Sequence, residues 1–373
     1  MTSKERMMRA LLLEKPDRLP ATIHQWQAYH LDKYLGGMNA LEAFKLCGLD
    51  ASIQYSEPMG QFWITDGTSR VVHSRDWVDD IEVTRSDPND LVLRHTITTP
   101  AGQLHYCTGA NPMTTWLTEY LIKSEQDLEL VERYMPVGKL DLRAIATEYD
   151  RVGDHGILRG FVWGDQAGCW QHACCLVPIE ELILKCVDNP AWVHRLLGAL
   201  LERKLRFIEE SLTGARFDIV ETGGGAGSDT VISPKLHREF CLPYDRRMHE
   251  ALHRVGQRAT YHTCGGMVHI LDLIVENGTD ASETLSPPGV GGTITAPNQV
   301  RSKFAGKLAM IGGLDQFHIL GEGTAEDITA DVQRLAEGFG KDGGYICSAA
   351  DHFFEVPIEN LKAFAAAACQ CVY

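Results

Sequence analysis

The chain has 373 residues, of which 44% are hydrophobic and 23% are charged, a composition typical of a globular fold. Its net charge of −15 disfavours nucleic acids and anionic membrane surfaces as partners, because both would repel an acidic protein. No segment has the apolar length of a signal peptide or of a membrane span. The eleven cysteines are an odd number without framework spacing, so we expect free thiols and a cytoplasmic protein.

Short β-branched or aromatic runs alternate with longer amphipathic segments along the chain. Strands are predicted near 20–24, 51–56, 156–163, 217–222, 258–263, 279–284, 307–313 and 343–348. Helices are predicted over 38–50, 189–214, 233–256, 266–277 and 324–340, with a kink at Pro243 and a last helix that starts near Pro357. This alternation is typical of parallel strands joined by helices, and eight strands predict an α/β fold of the closed (β/α)8 type, a TIM barrel.

Residues 61–107 interrupt this rhythm. They contain alternating strand patterns separated by turn signals such as Asp66-Gly67. We predict an antiparallel β-meander inserted after the second barrel strand, within a single domain that spans residues 1–373.

Polar side chains occur where nearly every predicted strand ends, and the carboxyl ends of the strands form the active face of such a barrel. In chain order these residues are His24, Glu57, Trp163, Asp165, Glu221, His262, Cys264, Glu283, Asp315, Cys347, Asp351 and His352. One polar residue at the start of a loop is as often a cap as a functional group. The convergence of so many on one rim favours a functional site.

His262 and Cys264 lie two residues apart at the end of the fifth predicted strand. Alternate residues of a strand share a face, so both side chains can point into the same mouth. Histidine nitrogen and cysteine sulfur are ligands that zinc prefers, and a catalytic zinc takes three protein ligands plus an open position. The spacing alone is a weak signal, since a buried thiol beside a capping histidine has the same pattern. Another strand end must supply the third ligand, for which Cys347 is the natural thiolate, with Glu221 as a possible fourth.

The glycine-rich run ETGGGAGSD, residues 221–229, lies between a predicted strand and a helix. Such loops can hold phosphate, but this spacing fits neither the P-loop nor the dinucleotide fingerprint, and no lysine follows. We interpret the run as a wide loop that brings Ser228 and Asp229 over the mouth.

The segments ISPKLHREFCLPYDRRMHEALHRVG, YHTCGG, LAMIGGLD and VPIEN resemble the uroporphyrinogen decarboxylase superfamily, and the resemblance covers most of the chain. That superfamily has a (β/α)8 barrel. Its heme-pathway decarboxylases bind the substrate's carboxylates through an N-terminal arginine motif, whereas this chain has no arginine between Arg18 and Arg70. Glu57, Glu221 and Glu283 would repel a polycarboxylate substrate. A decarboxylase function is therefore disfavoured.

The chain also resembles the corrinoid-dependent methyltransferase branch of the same superfamily. In that branch an H-x-C motif and a distant cysteine ligate zinc, and His262 and Cys264 match the motif. The place of the distant cysteine is occupied by Ala350, three residues after Cys347. The open candidates for the remaining ligand are Cys347, Glu221, Asp351 and His352.

The resemblance implies transfer of a methyl group, in an undetermined direction, between a small donor or acceptor and the corrinoid (cobalamin) of a partner protein. Zn²⁺ would act as a Lewis acid. Candidate proton donors are Glu57, Asp229, Glu283 and His24, and candidate substrate-binding residues are His24, Trp163 and Asp315. Two alternatives stay open: a metal-free carboxy-lyase on the same barrel, and a non-catalytic corrinoid-binding barrel.

Overall fold

The secondary structure follows the alternation of the sequence. A computed structural model describes residues 1–55, 61–65, 68–87, 89–163 and 167–373, with the backbone alone for 61–65 and 68. The strands are β1 (Ala21–Thr22), β2 (Ala51–Gln54), β3 (Gln61–Thr65), β4 (Thr68–Ser74), β5 (Trp77–Asp87), β6 (Asp90–Thr99), β7 (Gly102–Ala110), β8 (Thr115–Glu119), β9 (Gly156–Phe161), β10 (Ile219–Gly223), β11 (Ala259–His262), β12 (Ala281–Thr284), β13 (Ala309–Leu314) and β14 (Tyr345–Ala349). The α-helices are α1 (Ser3–Leu11), α2 (Ala28–Leu35), α3 (Ala40–Cys47), α4 (Glu125–Tyr134), α5 (Leu142–Val152), α6 (Cys169–Leu176), α7 (Ile179–Asp188), α8 (Pro190–Phe207), α9 (Pro234–Phe240), α10 (Leu242–Arg254), α11 (Leu271–Glu276), α12 (Pro297–Phe304), α13 (Ala325–Phe339) and α14 (Ile358–Gln370).

Eight parallel strands form the barrel sheet, in the order β1-β14-β13-β12-β11-β10-β9-β2. Asp50 joins the two edge strands, because its carboxylate accepts a hydrogen bond from the Ala21 amide at 3.0 Å and its own amide donates to the Ala21 carbonyl at 2.8 Å. All eight predicted strands are present in this sheet. The predicted TIM barrel is confirmed.

Helix α1 packs against residues of the barrel strands. Met7, Ala10 and Leu11 of α1 share one apolar cluster with strand side chains. The strand members are Ile157, Ile219, Ala281, Ala309, Ile311 and Ile346. Because the Met7 side chain is fully buried, this cluster keeps water out of that part of the interior.

The inserted meander is confirmed and is longer than predicted. Strands β3 to β8 form one antiparallel sheet in sequential order, so the insertion continues to Glu119 rather than ending at residue 107. The additional strand β8 pairs with β7 after a turn at Asn111, whose side chain accepts hydrogen bonds from the Met113 and Thr114 amides. Five residues with only partial alternation were too short a pattern to predict β8.

The predicted kink at Pro243 is a break between two helices. Helix α9 ends at Phe240 and α10 begins at Leu242, with Pro243 in its first turn. Proline has no amide hydrogen to continue the helix but is well accommodated in a first turn, which explains the break.

In the part of the chain that the structure describes, no helix combines the length and the apolar character needed to cross a membrane.

Asp245 on α10 is a buried carboxyl group that accepts a hydrogen bond from the Tyr261 hydroxyl at 2.9 Å. Burial raises the pKa of Asp245 to about 7. An unfolded chain releases this proton near pH 3.9. The folded state therefore binds more protons between about pH 4 and pH 7, and the contribution of Asp245 to stability falls as the pH rises through this window.

We expect Asp245→Asn to become more stable relative to the unmodified protein as the pH rises from about 4 to 7.5, by on the order of 2–4 kcal/mol. Urea denaturation at several pH values measures the difference in the free energy of unfolding. Other titrating groups are common to both proteins and cancel. A difference that does not vary with pH would contradict the raised pKa.

Candidate metal site at the carboxyl end of the barrel

Three neighbouring strands bring histidine and carboxylate side chains together at the carboxyl end of the barrel. His262 ends β11, and the strand register pairs it with Glu283 on β12. Glu221 lies on β10, the strand on the other side of β11. His24 follows β1, and its ring centroid lies 4.9 Å from that of His262. The sequence predicted that these four residues would converge, and the structure places them together in one buried group.

Arg159 on β9 is the cation at the centre of this group. Its Nη2 donates to the Glu221 carboxylate at 2.6 Å and to both oxygens of Glu283 at 2.8 Å. All three side chains are almost completely buried. Arg159 was not among the residues predicted for the site. The available signal was a single arginine within the apolar strand GILRGF, since a charge in a buried strand requires buried partners.

The two carboxyl groups bound to Arg159 differ in charge. Burial would raise the pKa of Glu283, but Arg159 and the nearby histidines lower it well below its usual value, so Glu283 is ionised. Burial, together with the negative charge of Glu283, raises the pKa of Glu221 to about 8. Two adjacent carboxylates cannot both ionise easily when they share one cation.

The hydrogen bonds of His262 leave one ring nitrogen for another partner. Its Nδ1 lies 3.0 Å from Glu283 Oε1 and 3.7 Å from Glu221 Oε1. Burial opposes protonation, but Cys264 and the two carboxyl groups raise the pKa of His262 well above its usual value. A carboxylate that binds one nitrogen of an imidazole is the usual support of a metal-binding histidine, because it fixes the tautomer and orients the ring.

His262, Cys264 and Asp351 form a possible metal-binding triad. One nitrogen, one sulfur and one oxygen from these residues lie within 4.8 Å of one another. Zinc binds such atoms at about 2.0–2.3 Å, so the ligands of one tetrahedral ion lie roughly 3.3–3.8 Å apart. Cys264 and Asp351 are partly exposed, so solvent can reach this triad. The donor set therefore fits a zinc ion with only small movements.

Two further groups of donor atoms overlap with this triad. His24 and His352 form a set with Asp351, and His24 also belongs to the buried group with Glu221 and Glu283. The carboxylates of the buried group are bound to Arg159, so a cation there would compete with a guanidinium already in place. Burial lowers the pKa of His24 to about 3 and also lowers that of His352, so both imidazoles are neutral.

The structure does not bring Cys347 to the other donors. Ile346 and Ser348 face the interior of the barrel, so the side chain of Cys347 between them points the opposite way. It is completely buried in the main apolar core. Burial raises the pKa of Cys347 to about 12, which disfavours the thiolate that binds a metal. Asp351, another of the candidate ligands, lies within 4.8 Å of the donor atoms of His262 and Cys264.

Asp229 and Asp315 have structural contacts at the rim. The Asp229 carboxylate accepts a hydrogen bond from the His269 amide at 2.7 Å and so connects the loops after β10 and β11. The Asp315 carboxylate accepts from the Phe317 and His318 amides and from the His318 ring. Their predicted roles in catalysis and in substrate binding stay predictions.

Trp163 lies beside the inserted sheet rather than in the metal-binding group. Its ring centroid is 5.5 Å from that of His172, and its carbonyl accepts a hydrogen bond from Lys204 at 2.6 Å. It lines a cleft of about 1230 Å³ together with Trp77 and Tyr106 of the insertion. Its role in substrate binding stays a prediction. Glu57 and Asp165 lie outside the described residues.

Gly225 allows the glycine-rich loop to approach Cys264. A Cβ atom at position 225 would lie 2.5 Å from the Cys264 sulfur and 3.2 Å from its carbonyl oxygen.

We expect Gly225→Ala to turn the Cys264 thiol away and to lower the affinity for zinc by about 10–100-fold, the range for a disturbed ligand support. A competition titration with a chromogenic chelator measures the affinity. The control is Gly198→Ala on α8, where a Cβ meets no described atom within 4 Å. Equal zinc affinity of the two variants would contradict the role of Gly225.

The sequence matches the family model described as Uroporphyrinogen decarboxylase (URO-D) over residues 103–370. The chain belongs to the uroporphyrinogen decarboxylase family. The predicted superfamily is thereby confirmed, and the match includes all the residues of the candidate metal site except His24.

Solved structures similar to this family member include "methyltransferase from Methanosarcina mazei". That structure has a TM-score of 0.65 at 15% identity and is matched over 99% of this chain and 99% of that chain. A B12-independent methionine synthase from Shewanella sp. W3-18-1 is matched over 63% of this chain and 67% of that chain, with a TM-score of 0.44 and 10% identity. No curated protein sequence matches the chain. At these identities the likeness concerns the fold.

Proposed function

We propose that this protein is a zinc-dependent methyltransferase that moves a methyl group between a small substrate and the corrinoid (cobalamin) of a partner protein. The observation that carries the proposal is the convergence of His262, Cys264 and Asp351 at the carboxyl end of the barrel. Family membership and the fold shared with the Methanosarcina mazei methyltransferase support it. A zinc ion held there would supply Lewis acidity, which assists the departure of a heteroatom or activates a thiol.

The residues around the triad have distinct roles in this proposal. Glu283 is a positioning residue, because it holds His262 through Nδ1 and is itself kept ionised by Arg159. His352 exposes 39% of its side chain at the mouth, so we assign to its imidazole the exchange of a proton with the reacting heteroatom. Its Nδ1 lies 2.6 Å from the Gln27 side-chain nitrogen, and this contact orients the ring.

The alternative function, a metal-free carboxy-lyase, would need a cation that can bind the substrate, and the described cation at this site is already paired. A decarboxylase of the type seen in heme synthesis must bind several carboxylates. Arg159 contacts the carboxyl groups of this site, and both Glu221 and Glu283 already bind it. A polycarboxylate would have to displace these buried partners, at a cost of several kcal/mol.

We also propose a cytoplasmic location. All eleven cysteines are free thiols. Free thiols in this number are typical of a reducing compartment.

The test uses methylcobalamin in place of the methylated partner. We expect the zinc-loaded protein to demethylate methylcobalamin in the presence of 2-mercaptoethanol, with the change in the corrinoid absorption spectrum as the readout under anaerobic conditions. The activity should disappear after chelation of the metal and return with added Zn²⁺. Release of CO2 from a porphyrinogen carboxylate by the metal-free protein, without demethylation of methylcobalamin, would overturn the proposal.

A further inference from the structure

The segments that follow the barrel strands contain no lysine or arginine in the sequence. These segments are 23–27, 55–60, 162–168, 224–233, 263–270, 285–296, 315–324 and 350–357. Segment 55–60 lies between β2 and the first strand of the inserted sheet. They do contain seven acidic residues: Glu57, Asp165, Asp229, Asp315, Glu322, Asp351 and Glu355. Five of these acidic residues, Asp229, Asp315, Glu322, Asp351 and Glu355, belong to the part of the chain that the structure describes. The described loops at the end of the barrel that carries the candidate site therefore contain acidic side chains and neither lysine nor arginine.

The segments at the opposite end of the barrel contain basic as well as acidic residues. Basic residues occur in the segments that lead into the strands. They are Lys15, Arg18, Arg216, Arg258, Lys307 and Lys341. The shortage of cations at the carboxyl end is thus specific to that end and does not follow from the net charge of the chain.

Two cations that contact acidic groups at the carboxyl end, Arg159 and Lys33, are neutralised by those carboxylates. Arg159 binds Glu221 and Glu283. Lys33 of α2 binds Glu355, with contacts of 2.8 and 2.7 Å to its two oxygens. Neither side chain is available to an anionic ligand without the loss of these ion pairs.

The basic side chains of the insertion and of α8 lie in a different place. Arg75, Arg203 and Arg206 line the cleft beside the inserted sheet, and none of the candidate metal ligands lines this cleft. Arg203 is occupied there by the carbonyl oxygens of Val131, Glu132, Met135 and Ala199. These cations do not form part of the candidate site.

We infer that the site accepts methyl donors or acceptors whose non-reacting end is uncharged or cationic, and that it discriminates against carboxylates, phosphates and sulfonates. The inference rests on the proposed function, because it concerns the substrate of the same metal site. A divalent ion bound by the Cys264 thiolate and the Asp351 carboxylate is electrically neutral as a unit. The remaining acidic groups therefore keep the mouth negative, and a mouth with low-dielectric walls strengthens their effect on an entering charge.

Three small thiols test this inference through binding rather than turnover. Cysteamine, 2-mercaptoethanol and 3-mercaptopropionate carry a cationic, a neutral and an anionic group two carbons from the sulfur. Their affinities for the Co²⁺-substituted protein can be measured from the thiolate-to-cobalt absorption band. We expect cysteamine to bind roughly tenfold more tightly than 3-mercaptopropionate at low ionic strength, and this ratio to narrow at about 0.5 M salt.

The thiols differ in intrinsic pKa, so a pair of variants isolates the contribution of the protein. Val231 is 42% exposed in loop 224–233, the loop in which Gly225 approaches Cys264. Val187 is 76% exposed on α7. We expect Val231→Lys to lower the preference for cysteamine over 3-mercaptopropionate by about two- to threefold at low salt, and Val187→Lys to leave it unchanged.

The outcomes separate this inference from the proposed function. Two outcomes overturn the charge selection and leave the methyltransferase proposal standing. In the first, the protein binds the metal and the thiols but prefers 3-mercaptopropionate. In the second, its preference among the thiols neither depends on salt nor differs between the two lysine variants. If the protein binds no metal, the proposed function fails and the inference fails with it.

Discussion

Cys264→Ala is expected to lose zinc binding, whereas Cys347→Ala keeps it. Cys264 lies with His262 and Asp351 among the possible ligands, while Cys347 is buried in the apolar core. Loss of a group that merely supports a ligand costs about 10–100-fold in affinity, so loss of the Cys264 ligand should exceed about 100-fold. Zinc content and chelator competition measure the affinity.

The two cysteine variants also differ in stability, which makes Cys347→Ala a sharp control. Removal of one heavy atom from a packed core costs about 1 kcal/mol, so we expect Cys347→Ala to be less stable than the unmodified protein in the presence of a chelator. The Co²⁺-substituted Cys347→Ala protein should retain the sulfur-to-cobalt absorption band that Cys264→Ala lacks. A loss of zinc from Cys347→Ala with an unchanged fold would restore the ligand set expected from the family resemblance and remove Asp351 from it.

Arg159→Met is expected to lower the free energy of unfolding by about 3–5 kcal/mol, because it leaves two buried carboxyl groups without their cation. The measurement is denaturation by urea with a chelator present, so that metal binding does not contribute. The exposed Arg195→Met is a matched control, since Arg195 also binds two carboxylates, those of Glu125 and Glu132. Exposed ion pairs contribute about 0–1 kcal/mol each, so this control should change stability little.

A rescue variant tests whether the buried charge is the cause. Adding Glu221→Gln and Glu283→Gln to Arg159→Met removes the unpaired carboxylates and should restore part of the lost stability. If Arg159→Met matches Arg195→Met in stability, or if the two glutamines lower stability further, the guanidinium does not stabilise the buried group as inferred.

Local patterns in the sequence were sufficient to predict the barrel and the insertion. Each strand is a short β-branched or aromatic run, and each following helix has its own capping signals, such as Asn189 with Pro190 at the start of α8. The pattern extends over the whole chain, so errors at element ends did not change the topology. The short strand β8 was missed because its five residues give too little periodicity.

The location of the candidate site was also predictable, because the barrel places the ends of all its parallel strands at one face. His24, Glu221, His262 and Glu283 each follow or end a predicted strand, and the structure brings them together. The H-x-C motif needed only the alternation of a strand to place His262 and Cys264 beside the same mouth.

The partners of these residues depend on tertiary structure. The sequence alone could not exclude Cys347 as a ligand, because the direction of its side chain depends on which residues of β14 face the interior. It also gave no reason to join Arg159 to Glu221 and Glu283, which lie 62 and 124 residues away in the chain. The sequence determined the barrel and the rim on which the candidate ligands lie. Only the closure of the barrel decided which side chains meet there, because strand register and the compensation of buried charge are set between distant segments.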